Sequence, residues 1–483
     1  MKRHNIIYYS VLVALMLFFA IYTVTKFPYT YITMEGDDFW VRTWEFWQLK
    51  LATLPAFTNW VTDFLMQFYR SPYIGAAIQT LVLGLTGVLA HTVLRLFFKD
   101  KGFLSWLGLL PPILLGYYCP FDLSFQLQCL FLFGLILIYQ IIPNLKAQLL
   151  WSILSVVLGF LLIRTPMLFL LLLSYALITF KSHNWKKSLY LIAPLILLIL
   201  MPLVYSQQVA FIPFEERYQA WGGHFEPLTS RYNQSAEYMK KLVCLSNEGK
   251  WEEMLYKAHA KSEARRGNGV ALRYALLAES ALGTLPENLF DYPIRDENLF
   301  LFPHQDGSVA HQFNRLFYLN LGVFDEVFHH AEEYGLLQDN GICFSSLRQM
   351  VDACIEEGDW EIAEKYLQIL SKSTCHKDFV KNSKAKILTA KKEKAKDIPF
   401  RADNFVGGYP LPVEMLRLAR YYGDTSQQKK MTDYAICSYI LRGDANSFMI
   451  AVKAFDIYKD KQLPKAYSLF VQSFQAGEGQ LVH

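Results

Sequence analysis

The sequence predicts an all-α protein in two parts: a polytopic α-helical membrane domain of about seven spans over residues 1–206, then an extracytoplasmic helical-repeat domain over 207–483. Three observations predict it. Apolar runs long enough to enter or cross a bilayer recur up to Tyr205, in a chain whose 53% hydrophobic and 16% aromatic residues exceed ordinary soluble composition. Charge is unevenly divided: residues 1–206 hold fourteen Lys/Arg against seven Asp/Glu, and 207–483 hold thirty-three against thirty-six. Beyond Tyr205 a Gly-aromatic-acid phrase recurs at helix ends. The overall +4 averages a basic part with a slightly acidic one and is no argument for nucleic acid, and the sequence shows no Lys/Arg-rich tail or aromatic-interleaved basic stripe.

Ile6–Thr25 follows "MKRHN" and is longer than a signal-peptide core, and "TVTKFPY" is a poor cleavage site, so it reads as a retained span. Further apolar segments follow at Tyr73–Leu94, Phe103–Tyr118, Leu123–Ile142, Ala147–Ile163, Pro166–Phe180 and Leu189–Tyr205. Four are shorter than the roughly 20 residues that cross a ~30 Å core. Ala147 to Phe180 as one straight helix would be about 51 Å long at 1.5 Å per residue. "IRTPM" interrupts it: Pro166 disfavours helix at the residue before it, and Arg164 is costly at mid-membrane, so a helical hairpin with Arg164, Thr165 and Pro166 at its tip is expected.

With the N-terminus inside, the connections 1–5, 95–102, 143–146 and 181–188 hold nine Lys/Arg, against Lys26, Arg42, Lys50, Arg70 and Arg164 on the other side. That bias predicts a multi-pass protein of the cytoplasmic membrane with residues 207–483 outside, periplasmic in a Gram-negative cell. The segment 39–70 is rich in Trp and Phe with apolar residues at helical spacing, and is expected to lie along the outer interface as one or two amphipathic helices in contact with membrane lipids. Seven cysteines (119, 129, 244, 343, 354, 375 and 437) include no CxxC pair, leaving buried unpaired thiols or a disulfide in the outer part open.

In the tail, "NEGKWEEMLYKAHA" (Asn247–Ala260), "NLGVFDEVFHHAEE" (Asn320–Glu333) and "EEGDWEIAEKYLQI" (Glu356–Ile369) each read as helix end, Gly, one residue, aromatic, acid and new helix. The glycines predict left-handed turns at Gly249, Gly322 and Gly358, with Trp251, Phe324 and Trp360 buried at them. A weaker copy is "KDKQLPKAYSLFVQSF" (Lys459–Phe474), and Leu285–Gly307, rich in Pro and aromatics, reads as a long loop. The phrase resembles the tetratricopeptide (TPR) repeat, which implies a stacked array whose concave face takes a protein partner. A helical plug that binds nothing else is the plain alternative.

Between the first span and the interfacial segment stands "MEGDDFW" (Met34–Trp40), with Glu35, Asp37 and Asp38. A loop that is acidic only because it meets water explains it simply. The order of parts, namely first span, Glu35-x-Asp37-Asp38, interfacial helices, and later a short-helix pair with a basic tip in Val157–Tyr205, resembles the GT-C superfamily of glycosyltransferases that use polyprenyl-phosphate sugars. It also resembles bacterial membrane proteins with no assigned activity. The GT-C resemblance implies Asp37 or Asp38 as general base or metal ligand, with Glu35 in support, and leaves open whether a divalent metal takes part. A departing lipid phosphate needs a cation, for which Arg164 is the first candidate and Arg42 and Arg70 the next. Two readings therefore stand: a lipid-linked-sugar transferase, and a non-enzymatic membrane-anchored scaffold of the cell envelope. No Walker, Rossmann, HExxH or GxSxG pattern occurs in a supporting context.

Overall fold

The computed structural model describes residues 2–99, 102–181, 190–208, 225–294, 297–302, 307–338, 340–392, 412–420, 425–455 and 462–475. Among them the secondary structure is helical throughout. The chain divides into two units: Met1–Glu35 with Phe39–Glu237, and Gly36–Asp38 with Tyr238–His483.

The first unit opens with α1 (Lys2–Lys26), α2 (Pro28–Asp37), α3 (Trp44–Leu51) and α4 (Ala56–Met66). It continues with α5 (Pro72–Phe97), α6 (Leu110–Tyr118), α7 (Leu123–Ile141), α8 (Leu145–Leu162), α9 (Thr165–Lys181) and α10 (Ile192–Gln208). All seven apolar segments of the sequence are helical where described. Four helices are long and apolar enough to cross a membrane, His4–Lys26, Pro72–Phe97, Leu123–Ile141 and Leu145–Leu162, while Phe103–Tyr118, Thr165–Lys181 and Ile192–Tyr205 are shorter. The expected break falls where "IRTPM" puts it: α8 stops at Leu162, Ile163 is extended, and α9 starts at Thr165 and packs on α8.

α5 is the centre of this unit, packed against α1, α6 and α7. Small residues let it approach its neighbours. A Cβ on Gly75 would lie 2.6 Å from the Tyr31 ring, and one on Gly108, in the 3-10 run Gly102–Leu109, 2.6 Å from the His91 backbone nitrogen. The segment 39–70 forms α3, α4 and a 3-10 turn, Gln67–Arg70, and a buried Lys50–Asp63 ion pair joins α3 to α4. Trp40 packs edge-on against Trp60 and Phe64, while Trp44, Phe57 and Phe68 remain exposed. The start of α2 is held by Glu237, whose carboxylate accepts from the amides of Tyr29 and Thr30 at 2.8 Å each and from the Thr30 hydroxyl at 2.6 Å. This satisfies amides that a helix start leaves unbonded and places a negative charge at the positive end of the helix.

In the second unit come α11 (Arg231–Asn247, counted with the first unit up to Glu237), α12 (Ala260–Arg265), α13 (Gly269–Leu282) and α14 (Leu285–Asn288). There follow α15 (Ser308–Leu321), α16 (Phe324–Leu336), α17 (Phe344–Glu357), α18 (Trp360–Ser371) and α19 (Lys377–Lys392). The last are α20 (Pro412–Ala419), α21 (Thr425–Arg442), α22 (Ala445–Ala454) and α23 (Lys465–Gln475). Neighbours in sequence pack on each other: α15 on α16, α16 on α17, α17 on α18, α18 on α19, α21 on α22.

The expected turns are present. At Gly322 (φ 72°) the Val323 amide reaches back to Tyr318 O at 3.0 Å and the Gly322 amide to Leu319 O at 3.1 Å, a left-handed cap that only glycine adopts without strain. The same reach-back bond closes the turns after Gly249, Gly267, Gly283, Gly358 and Gly443, from Lys250 to Leu245, Asn268 to Glu263, Thr284 to Glu279, Asp359 to Cys354 and Asp444 to Tyr439. Sequence reading missed Gly267, Gly283 and Gly443, and the turn of its weaker copy, Lys459–Phe474, lies partly outside the described residues. Two expectations are corrected. Trp251, Phe324 and Trp360 are only half-buried, the first two against the core and the third under the Lys391 ammonium at 5.7 Å, because each sits at the rim of its turn. The helix after Gly249 is short, with a π turn at Glu253–Lys257 and His259 at φ 58°.

Leu285–Gly307 is less loop-like than expected: it holds α14 and 3-10 turns at Leu289–Asp291 and Glu297–Phe300. The buried carboxylate of Glu279 organises its start, accepting from Thr284 (2.5 Å), Asn288 (2.8 Å) and Tyr292 (2.6 Å) side chains and pairing with Lys261. None of the seven cysteines forms a disulfide, and five of them are buried.

Candidate functional site

The acidic stretch is divided. Glu35 is buried in the first unit, whereas Gly36, Asp37 and Asp38 belong to the second. There the Tyr334 hydroxyl of α16 donates to Asp37 Oδ1 at 2.6 Å, and Asn340 Nδ2 donates to Asp38 Oδ1 at 3.1 Å. The amide of Phe344, first residue of α17, donates to the Asp38 carbonyl at 3.1 Å. Gly36 lies against Ser345, where a Cβ would meet the serine Cβ at 3.6 Å. The tripeptide is therefore held by two side chains and one main-chain amide, all from α16, α17 and the link between them.

Behind Tyr334 runs a polar ladder between α15 and α16. His311 and His330 face each other Nδ1 to Nδ1 at 2.9 Å, so one ring donates and the other accepts. Gln312 Nε2 donates to the Tyr334 hydroxyl at 3.1 Å, and the Arg315 guanidinium stacks on the Tyr334 ring at 4.6 Å. Arg315 is fully buried, and none of its three guanidinium nitrogens has a hydrogen-bond partner among the described residues. Asp37 keeps a small part of its surface exposed, yet the protein around its carboxyl pushes the pKa above the ordinary carboxylate value. Burial is the main cause; the Tyr334 hydrogen bond and the charges of Arg315 and Lys240 offset only part of it. Burial and the Asp37 charge in turn push the Tyr334 phenol up.

The candidate cations lie in the first unit. Arg42 and Arg70 are exposed. Arg164 is half-buried at the break between α8 and α9; its amide donates to Gln128 Oε1 at 3.2 Å, and its Nε is buried without a hydrogen-bond partner among the described residues. A polar network surrounds the break, from Gln128 Nε2 to Ser124 Oγ (3.3 Å) and from Ser124 to Asn59 Oδ1 (2.9 Å), with the Thr58 hydroxyl on Leu162 O at 2.5 Å. Among the described residues no group of three or more His, Cys, Asp or Glu side chains is placed to hold a metal ion.

Sequence reasoning found the carboxylates and missed Tyr334 and Asn340, which bond them, and Arg315, which covers the Tyr334 ring. The one available signal was the spacing of His311, Gln312 and Arg315 with His330 and Tyr334, polar residues three and four apart on faces that otherwise read as core.

Over residues 2–476 the chain matches the family of unknown function DUF6057, and it belongs to that family. No curated protein and no solved structure matches it.

Proposed function

We propose that this member of a family of unknown function is a non-enzymatic, membrane-anchored helical-repeat protein of the cell envelope, with a TPR-like second unit that binds a protein partner. In this reading the first unit crosses the cytoplasmic membrane seven times with its N-terminus inside, α9 returns as the second limb of a hairpin, and the repeat unit stands outside. The observation that carries it is the use made of Asp37 and Asp38. Their carboxylates are engaged by Tyr334 and Asn340, and the Asp38 carbonyl by the Phe344 amide, which is how a protein fixes a segment of its own chain. Six glycine turns with one hydrogen-bond pattern support a repeat array, whose exposed face is of the kind that takes peptides.

A second reading, transfer from a polyprenyl-phosphate sugar at the outer face, draws on two observations: burial raises the Asp37 pKa above the ordinary carboxylate value, and Arg164 Nε has no hydrogen-bond partner among the described residues at a helix break among polar groups. One experiment separates the two. Asp37→Asn and Asp38→Asn, each in the full chain, are assayed for turnover of polyprenyl-phosphate-linked sugar and for the discrete crosslinks that photoreactive residues on α15 and α17 form with envelope proteins. The scaffold reading expects unchanged sugar turnover in both variants and a defined crosslinked protein. Loss of turnover in either variant at normal protein level overturns it in favour of the transferase.

A further inference from the structure

We infer that α19 carries a docking surface for anionic phospholipid headgroups. The helix is unlike the rest of its unit. Residues 207–483 are slightly acidic in sum, yet α19 holds six lysines, one aspartate and no arginine. Its buried face is narrow, formed by Val380, Ser383 and Ile387. Lys377, Lys381, Lys384, Leu388 and Lys391 follow at steps of four, three, four and three, with Lys392 beside the last. At 3.6 residues per turn that sequence is one straight stripe. All are exposed, and Leu388 stands in the middle of the lysines at 61% exposure. Elsewhere on the helix Lys386 pairs with Asp352, and within the stripe Lys391 pairs with Glu364. Lys377, Lys381, Lys384 and Lys392 make no ion pair among the described residues.

A leucine set among ammonium groups is favourable against a bilayer, where the apolar side chain enters the headgroup boundary and the lysines meet phosphates. The choice of lysine over arginine points the same way. Arginine grips one phosphate in a fixed fork, whereas lysine is a point charge suited to a diffuse, mobile layer of headgroups. A nucleic acid offers negative charge but no apolar layer for Leu388; an acidic protein is the competing occupant, and the test below distinguishes it. The chain also carries four helices able to cross a membrane, so the bilayer that holds them supplies such a surface on the same polypeptide at high effective concentration.

The test uses the full chain in nanodiscs, with an environment-sensitive fluorescent amino acid at position 388. In discs containing one-third phosphatidylglycerol the emission shifts to the blue relative to discs of phosphatidylcholine alone, and high salt reverses the shift. At about fivefold for each lysine near an anionic surface, Lys377→Gln, Lys381→Gln, Lys384→Gln and Lys392→Gln together weaken docking by several hundredfold and abolish the shift. These are exposed side chains with no partner to lose, so the quadruple variant keeps the wild-type melting of its helices, which circular dichroism checks. No shift in anionic discs overturns the inference. A shift produced in phosphatidylcholine discs by added DNA or by an acidic peptide overturns the assignment to lipid.

Discussion

Tyr334→Phe isolates the bond on which the account of Asp37 rests. The substitution keeps the ring that Arg315 covers and removes one oxygen, which donates to Asp37 at 2.6 Å and accepts from Gln312 at 3.1 Å. A hydrogen bond to a charged group contributes about 1.5–3 kcal/mol and a neutral one about 0.5–1.5 kcal/mol. Asp37 is partly exposed, so Tyr334→Phe should cost about 2 kcal/mol in the wild-type chain. In an Asp37→Asn background, where the acceptor is neutral, it should cost about 1 kcal/mol, a coupling of about 1 kcal/mol. Amide hydrogen exchange of α16 and α17 in the reconstituted chain reads this directly, since each 1.4 kcal/mol of lost opening energy is tenfold in exchange rate. Equal costs in both backgrounds, or no change in exchange at all, would refute the idea that the second unit holds residues 36–38 through this bond. The pH dependence has a definite sign. Because the folded-state pKa of Asp37 is raised, its contribution to stability is complete below the unfolded value and is lost as pH rises through the raised one; Asp37→Asn should flatten that part of the profile.

Four further outcomes are expected. Trp360→Ala should cost about 1–2 kcal/mol in chemical unfolding of the second unit, below the ~3–5 kcal/mol of a fully buried aromatic, because the ring is half-buried; a cost in the full range would mean the ring is enclosed. Gly108→Ala should lower thermal stability in detergent by about 1–3 kcal/mol, since the new methyl meets main chain that cannot rotate away; wild-type stability would count against the close approach to His91. Asp444→Ala should cost about 0.5–2 kcal/mol by uncapping α22. Side-chain and backbone bonds from Ser447 hold the Asp444 pKa below its usual value, so its contribution is present above the ordinary carboxylate pKa and is lost as pH falls through the depressed one; a pH-independent cost would reject the cap. Reporter fusions at residue 300 should report the outer side of the membrane, and a cytoplasmic signal there would sink the proposed topology.

The fold was legible where a short stretch carries its own physics. Apolar run length gave the helices of the first unit, the Arg-Thr-Pro run gave the break after Leu162, and a glycine two residues ahead of an aromatic gave the turns at Gly322 and Gly358. Gly443 escaped because Ala445 and Asn446 follow it where the other copies place an aromatic and an acid, although Asp444 caps the next helix. What was not legible depends on pairs far apart in the chain. Asp37 and Tyr334 are separated by 297 positions, and Thr30 and Glu237 by 207. A hydrogen bond between such residues leaves no period in the sequence, so the carboxylates could be found and their partners could not. Burial at turn rims failed for a related reason: a glycine turn fixes where the following aromatic starts, but how much of it is covered depends on the next helix.

The charge at position 37 needs a reason beyond the bond it accepts. An amide would accept from Tyr334 just as a carboxylate does, and burial works against ionisation there. Arg315 supplies the reason on structural grounds. It is enclosed without a hydrogen-bond partner among the described residues, and a buried cation left uncompensated is among the more costly features a core can hold. Asp37 is a carboxylate whose charge bears on it, through the Tyr334 ring that the guanidinium covers and the hydroxyl that the carboxylate accepts from. Across one tyrosine, the Arg315 charge offsets part of the burial cost of an ionised Asp37. A base retained for catalysis would gain from a partner that frees its lone pairs toward a substrate. Asp37 instead has one oxygen engaged by the Tyr334 hydroxyl, with the charges of Arg315 and Lys240 bearing on it, which is the arrangement expected of a residue that fixes its own segment in the second unit.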